Sequence, residues 1–234
     1  MGSTRTVQSS LNWMASLIEQ QPTAINGMEP ALTAANMVLG VVLGAPFTWP
    51  WNRGQANFNA TTQDTAVAGL TDFGFLEGGS VYAAGAQSPM AIIVKRLLEQ
   101  DTSQARALHM SIFEDDGAGN ITFRLSPGPD QEYSCNAIYQ KKPPVIQSLG
   151  YLWSPVPDEK AYLCDWGLLS LMSLIGNDAR FNEYNQKFVL SMLQSQGGLE
   201  EMERNIFIAN WTLVTSQFQS SQLRTAQRVQ ARQG

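Results

Sequence analysis

The residue types that most often carry out chemistry in proteins are few in this sequence, and they are not clustered. His109 is the only histidine, and the two cysteines, Cys135 and Cys164, are far apart along the chain. A zinc site needs Cys or His ligands at short spacings, and a catalytic triad needs a histidine beside a nucleophile and an acid. We therefore expect a structural or surface histidine, two buried thiols, and no bound metal or cofactor.

An acidic run and a glycine-rich stretch are the next candidates. Glu114, Asp115 and Asp116 precede Gly117, but calcium loops alternate their ligands over a longer segment, so the run favours a solvated hairpin loop. The stretch from Gly74 to Gly85 is followed by neither a lysine nor a helix start in register, so it favours turns over a phosphate-binding loop. These patterns indicate a protein that is not an enzyme.

Four aromatic residues could form a platform that stacks on sugars or bases, or they could anchor a core or an interface. The second interpretation is favoured, because large aromatic side chains are usually buried. They are Trp49, Trp51, Tyr151 and Trp153.

Composition suggests a chain that hides part of its surface. Charged residues make up only 15% of the sequence, against roughly 25% in average globular proteins, and a subunit covered by neighbours would have such a surface. A merely polar surface explains the same numbers.

The net charge of −5 argues against a nucleic-acid coat. With no signal sequence and no long apolar run, we expect a soluble protein made in the cytoplasm, without a membrane partner.

Apolar spacing predicts the elements that hold these residues. A helix from Thr6 to Gln20 is followed by a second helix opened by Glu29-Pro30. Strand patterns then include a hairpin formed by 108–113 and 121–125. The helical period returns at Pro157-Asp158, and the apolar positions of the last helix are Leu199, Met202, Ile206 and Leu213.

The order of elements predicts an α+β fold. Helices from residues 1–46 pack on helices from 146–216 to form a bundle, because neither set is stable alone. Residues 47–145 form a β-rich insertion, and 217–234 form an extended basic tail.

The basic tail is the strongest candidate for partner binding. No Asp or Glu follows Glu203, whereas Arg224, Arg228 and Arg232 recur every four residues. If this stretch becomes helical on binding, the arginines form one cationic stripe with Leu223 and Val229 beside it. We expect these five residues to dock in an acidic groove of a partner; contact with DNA, or a tail without a partner, is the alternative.

The layout resembles the adaptor, or neck, subunits that tailed bacteriophages attach beneath the portal ring. Three regions carry the resemblance. The first has Ala24-Ile25-Asn26-Gly27 as a turn between helices that lead to the Trp-rich 47–53. The second is a hairpin ending in 123–129 and a strand closing at 138–144. The third is Pro155-Val156-Pro157 before a Leu-rich helix, then 177–181 and the helix 184–193.

This resemblance implies a structural virion protein, located in the neck or tail. Such subunits form a ring, commonly of twelve copies, which extends the DNA channel of the portal and receives the downstream tail or nozzle proteins. The C-terminal segment of each subunit docks on the portal protein, and DNA passes transiently through the channel. A tail- or spike-associated structural or receptor-binding protein is one alternative, and a glycan-acting enzyme with two placed carboxylates is another.

Overall fold

The computed structural model describes residues 4–17, 30–83, 86, 88–100, 103–176, 178–196 and 199–233, without the side chains of 221–233. The chain divides into two compact units. We call the first, Met1–Phe47 with Pro143–Gly234, the helical unit, and the second, Thr48–Lys142, the strand unit. The predicted turn at Asn26-Gly27 lies outside the described residues.

The described part of the helical unit contains five α-helices. They are α1 Val7–Ala15, α2 Ala31–Leu43, α3 Ala161–Ile175, α4 Phe181–Ser195 and α5 Glu201–Gln233. Helix α3 is central, since it packs against each of the other four. Gly167 of α3 makes the close approach to α2 possible: a Cβ atom there would lie 2.7 Å from Val38 Cγ1, closer than two carbon atoms can pack.

A buried polar network fastens the N-terminal segment to α3. Thr6 accepts the N–H of Ser9 and so caps α1, and the N–H of Trp153 donates to the carbonyl of Arg5. Below it, the Ser10 hydroxyl donates to the buried Asp165 carboxylate at 2.6 Å, and the Trp153 indole N–H donates to Ser10 Oγ at 2.9 Å. Arg5 Nη1 lies 2.5 Å from the second carboxylate oxygen of Asp165.

The strand unit consists, in its described residues, of two four-stranded sheets. The first sheet has the order β1-β8-β3-β4 and is antiparallel; the second has the order β2-β7-β6-β5 and ends in the parallel pair β5–β6. The strands are β1 Arg53–Ala60, β2 Asp64–Val67, β3 Phe73–Ala83, β4 Met90–Ala91, β5 Ile93–Val94, β6 His109–Asp115, β7 Ile121–Ser126 and β8 Tyr133–Lys141.

Alternating side chains of the two sheets form the core of the strand unit. On β8, Tyr133, Cys135, Ala137 and Tyr139 are buried while the residues between them are more exposed. Phe123 of β7 stacks on Phe58 of β1 with ring centroids 4.7 Å apart. The inward faces therefore share one apolar core.

Two polar side chains close the edges of this core. Arg124 forms a two-pronged ion pair with Asp64, at 2.7 and 2.8 Å, and lies over the Phe113 ring at 3.6 Å. The buried Gln140 amide accepts the N–H of Trp49 at 3.1 Å and donates to the Trp49 carbonyl at 3.2 Å. Gln140 thus joins the end of β8 to the segment that leads into β1.

The fold class predicted from the sequence, a bundle of N- and C-terminal helices with a β-rich insertion and an extended tail, is wrong. The described residues form an α+β mixture of two four-stranded sheets and five helices, with strands dominating the N-terminal half. Among the described residues, the N-terminal half contributes two short helices, of nine and 13 residues, beside the six strands β1 to β6. The predicted extended tail is instead the continuation of α5.

Leu169 provides a test of α3 as the centre of the helical unit, because its side chain is 0% exposed. We expect Leu169→Ala to lower the free energy of unfolding by about 2–5 kcal/mol through the cavity that it leaves. Leu190→Ala on α4, where the leucine is 54% exposed, is the matched control and should cost less than about 1 kcal/mol. Equal losses in urea unfolding would contradict a buried α3.

Asp165 predicts a pH dependence of stability. Burial raises the pKa of Asp165 above its ordinary 3.8, although Ser10 and Arg5 act in the opposite direction. The native state then keeps a proton that the unfolded chain releases, so this group's stabilising contribution falls as pH rises from about 3.8 through the native pKa. We expect the difference in unfolding free energy between wild type and Asp165→Asn to be smaller at pH 7 than at pH 4.

Asp116 supplies a control of opposite sign. Its side-chain hydrogen bond with Asn120 lowers the pKa of the Asp116 carboxyl, so its contribution is present at neutral pH and lost as pH falls. The difference between wild type and Asp116→Asn should therefore grow with pH. If the Asp165 difference also grows, then Arg5 rather than burial determines the charge of that carboxyl.

Candidate functional site: the C-terminal helix

Helix α5 begins with a local cap. The Glu200 N–H donates to the Glu203 carboxylate at 2.9 Å, and Arg204 Nε donates to the Leu199 carbonyl at 3.1 Å. A carboxylate that accepts an N–H in the first turn also interacts favourably with the helix dipole. These local hydrogen bonds therefore determine where the helix begins.

The inner face of α5, which we define as Phe207, Trp211 and Phe218, packs into the helical unit. All three side chains are buried. The Phe188 ring of α4 lies 4.4 Å from the Trp211 ring and 6.2 Å from the Phe207 ring, measured between centroids. The Trp211 indole N–H donates to Asn185 Oδ1 at 2.6 Å. Aromatic packing with a satisfied indole holds the helix firmly.

The outer face of α5 carries apolar side chains that remain in water. Met202 is 66% exposed and Leu213 is 55% exposed, and Ile206 is also exposed. Together with Leu199 these are the residues that the sequence interpretation took as the apolar positions of this helix, and of the four only Leu199 is buried. The aromatic residues at 207, 211 and 218, which the sequence interpretation did not name for this helix, form its buried face.

The predicted docking residues Leu223, Arg224, Arg228, Val229 and Arg232 lie in the last part of α5. Their backbone is helical, whereas their side chains lie outside the description. Positions 224, 228 and 232 are therefore one turn apart, at the spacing that the sequence interpretation required. The helix is present in the chain by itself, whereas the arginine spacing predicted a helix only on binding.

The other candidate residues are held by local interactions. His109 opens β6 and is opposite Ser126. Asp115 accepts the N–H of Gly117, and Asp116 accepts the N–H groups of Ala118 and Asn120, so these carboxylates shape the hairpin loop. Among the described residues, no group of three His, Cys, Asp or Glu side chains is placed to hold a metal ion.

Both thiols are buried. Burial raises the pKa of Cys135 to about 11 and also raises the pKa of Cys164, so each stays protonated at neutral pH.

The aromatic candidates lie in both units: Trp153 is buried in the helical unit and Trp49 in the strand unit, where Trp49 stacks on Trp51. Tyr151 is exposed.

Substitutions on the two faces of α5 distinguish their roles in folding. We expect Phe207→Ala to cost about 3–5 kcal/mol of unfolding free energy, because it removes a buried ring. The neighbouring Ile206→Ala and the outer Leu213→Ala should each cost less than about 1 kcal/mol in dilute protein. Thermal or urea unfolding measures all three, and a larger loss for Leu213→Ala would mean that the faces are assigned the wrong way round.

No family model matches this chain, and no curated protein matches it. Among the described residues, no helix is long and apolar enough to span a membrane. The features that bear on function are therefore those of α5 itself.

Proposed function

We propose that this chain is a structural subunit of a tailed-bacteriophage virion: a head-to-tail adaptor that forms a ring beneath the portal and connects it to the tail. The observation that carries the proposal is α5, a 33-residue helix. One face of this helix is anchored in its own unit, the opposite face presents apolar side chains to water, and the end is rich in arginine. Such a helix serves assembly rather than catalysis.

The length of α5 gives it reach. At about 1.5 Å per residue the helix is roughly 50 Å long. Phe218 is its last buried side chain among those described, and about 20 Å of helix follows it. A segment of this length can enter a groove on a neighbouring protein while the inner face keeps the subunit in place.

The charge of this last segment supports an acidic partner. It contains Arg224, Arg228 and Arg232 and no acidic residue. Because the backbone is already helical, docking would cost less conformational entropy than the binding of an unstructured tail. Several copies on one ring would also bind at the same time. On the proposed adaptor these partners are the portal, other copies of the chain, and the downstream tail or nozzle proteins. DNA passes through the channel without stable contact.

Binding to portal-containing heads tests the proposal. We expect the chain lacking 221–234 to fold, since it keeps Phe218 and every described side chain of α5, but not to co-sediment with heads. Arg224→Gln, Arg228→Gln and Arg232→Gln together should weaken binding about tenfold or more at physiological salt. The wild-type affinity should fall as salt rises.

A control for net charge is available in the strand unit. Lys95→Gln, Arg96→Gln and Arg106→Gln remove the same number of positive charges from exposed positions, and this variant should bind heads as wild type does. If heads acquire the truncated chain normally, portal docking through α5 is wrong.

A further inference from the structure

The outer face of α5 follows a regular pattern. Its positions alternate in steps of four and three residues, the spacing of a helix that packs along another helix. We call this set the outer seam; it consists of Met202, Ile206, Ala209, Leu213 and Ser216, and it continues in the sequence through Ser220 and Leu223. Each member whose side chain is described is exposed to solvent.

The outer seam lies almost opposite the inner face. With about 100° between successive residues, the mean direction of the seam is roughly 160° from that of Phe207, Trp211 and Phe218. The helical unit covers the inner face of α5. The apolar side chains of the outer seam therefore stay in water unless another surface covers them.

A groove opens at the acidic end of the seam. It has a volume of about 680 Å³ and is lined, among described residues, by Glu200, Glu201, Met202, Asn205, Ile206 and Ala209. Its lining combines two glutamates with the apolar side chains of Met202, Ile206 and Ala209. An occupant that fits it must therefore bring both apolar and positively charged side chains.

We propose that the outer seam binds the outer seam of a second copy of this chain, with the two α5 helices antiparallel. Charge complementarity identifies the occupant. Residues 200–219 of the chain carry three glutamates and one arginine, a net charge of −3 + 1 = −2, whereas 220–234 carry three arginines, +3. In an antiparallel pair the acidic half of each helix lies beside the basic half of the other. In a parallel pair halves of like charge lie side by side.

One register satisfies the seam and the charges together. When Leu213 is opposite Ser216 of the second copy, Ala209 is opposite Ser220 and Ile206 is opposite Leu223. Seam positions then meet seam positions from Ile206 to Leu223, and Met202 is opposite Gln227. The same register sets Glu201 opposite Arg228, so the acidic groove receives the basic end of the other helix.

Pairwise disulfide formation tests both the partner and the direction. We expect full-length Ile206→Cys and Leu223→Cys variants to form no intermolecular disulfide when each is oxidised alone, and to form a linked dimer when mixed. The native thiols are both buried and do not interfere. Cross-linking of each variant by itself would indicate parallel helices, and a monomeric mass without any cross-link would show that the copies do not pair; either result overturns the proposal.

Charge exchange provides a second measurement. Glu201→Arg and Arg228→Glu should each weaken self-association about tenfold, because two attractive pairs become repulsive in each dimer. Mixing the two variants restores both pairs, so the mixture should associate as wild type does. Glu203 is left unchanged because its carboxylate caps the helix. Sedimentation equilibrium measures the dissociation constants, and a mixture as weak as its components would contradict the pairing.

This inference concerns the chain without portal and does not rest on the proposed function. Its outcome is the mass and cross-linking of the free protein, whereas the adaptor proposal depends on binding to heads. A monomeric chain that binds heads, or a dimer that ignores them, would separate the two.

Discussion

The close packing around Gly167 is the constraint on which the helical unit depends. A Cβ atom at this position would lie 2.7 Å from Val38 on α2 and 3.0 Å from the Phe188 ring on α4, so the absence of a side chain lets both helices approach α3. Phe188 in turn supports Phe207 and Trp211. Through Phe188, the space left at Gly167 therefore also supports the aromatic contacts that hold α5.

The two faces of α5 separate stability from association. The inner face is buried in the subunit and contributes to its folding free energy, whereas the outer seam contributes little until another surface covers it. Because the faces are nearly opposite, changes on one need not disturb the other. The charges instead vary along the helix axis, from an acidic start to a basic end. The direction of a partner helix and the anchoring of α5 in its own unit therefore depend on different residues.

Local patterns in the sequence predicted the elements better than their arrangement. Turn residues and alternation located the hairpin of β6 and β7, and Pro157-Asp158 was placed just before α3. Periodicity did not select the face of α5, because an aliphatic set and an aromatic set both fit a helix. The one-turn spacing of the arginines was evident from the sequence. The outer seam could be recognised only when the structure had shown which residues form the inner face.

Long-range pairings were beyond the sequence. Asp165 meets Ser10 and Arg5 across more than 150 residues, and nothing near Asp165 in the chain indicates this. The same is true of β1 and β8, whose register joins Arg53 to Gln140. The bundle prediction failed for a related reason: helical patterns show where helices occur but not how much of the fold the sheets occupy.

The pairing of β1 with β8 has a consequence for how such a chain can be rearranged. The strand unit starts and ends on neighbouring strands, and Gln140 ties its exit to Trp49 at its entrance. A segment whose two ends lie side by side closes on itself at little entropic cost. Units whose two ends lie together are the ones that other chains most readily accept as insertions, because the two flanking segments of the host stay close to each other.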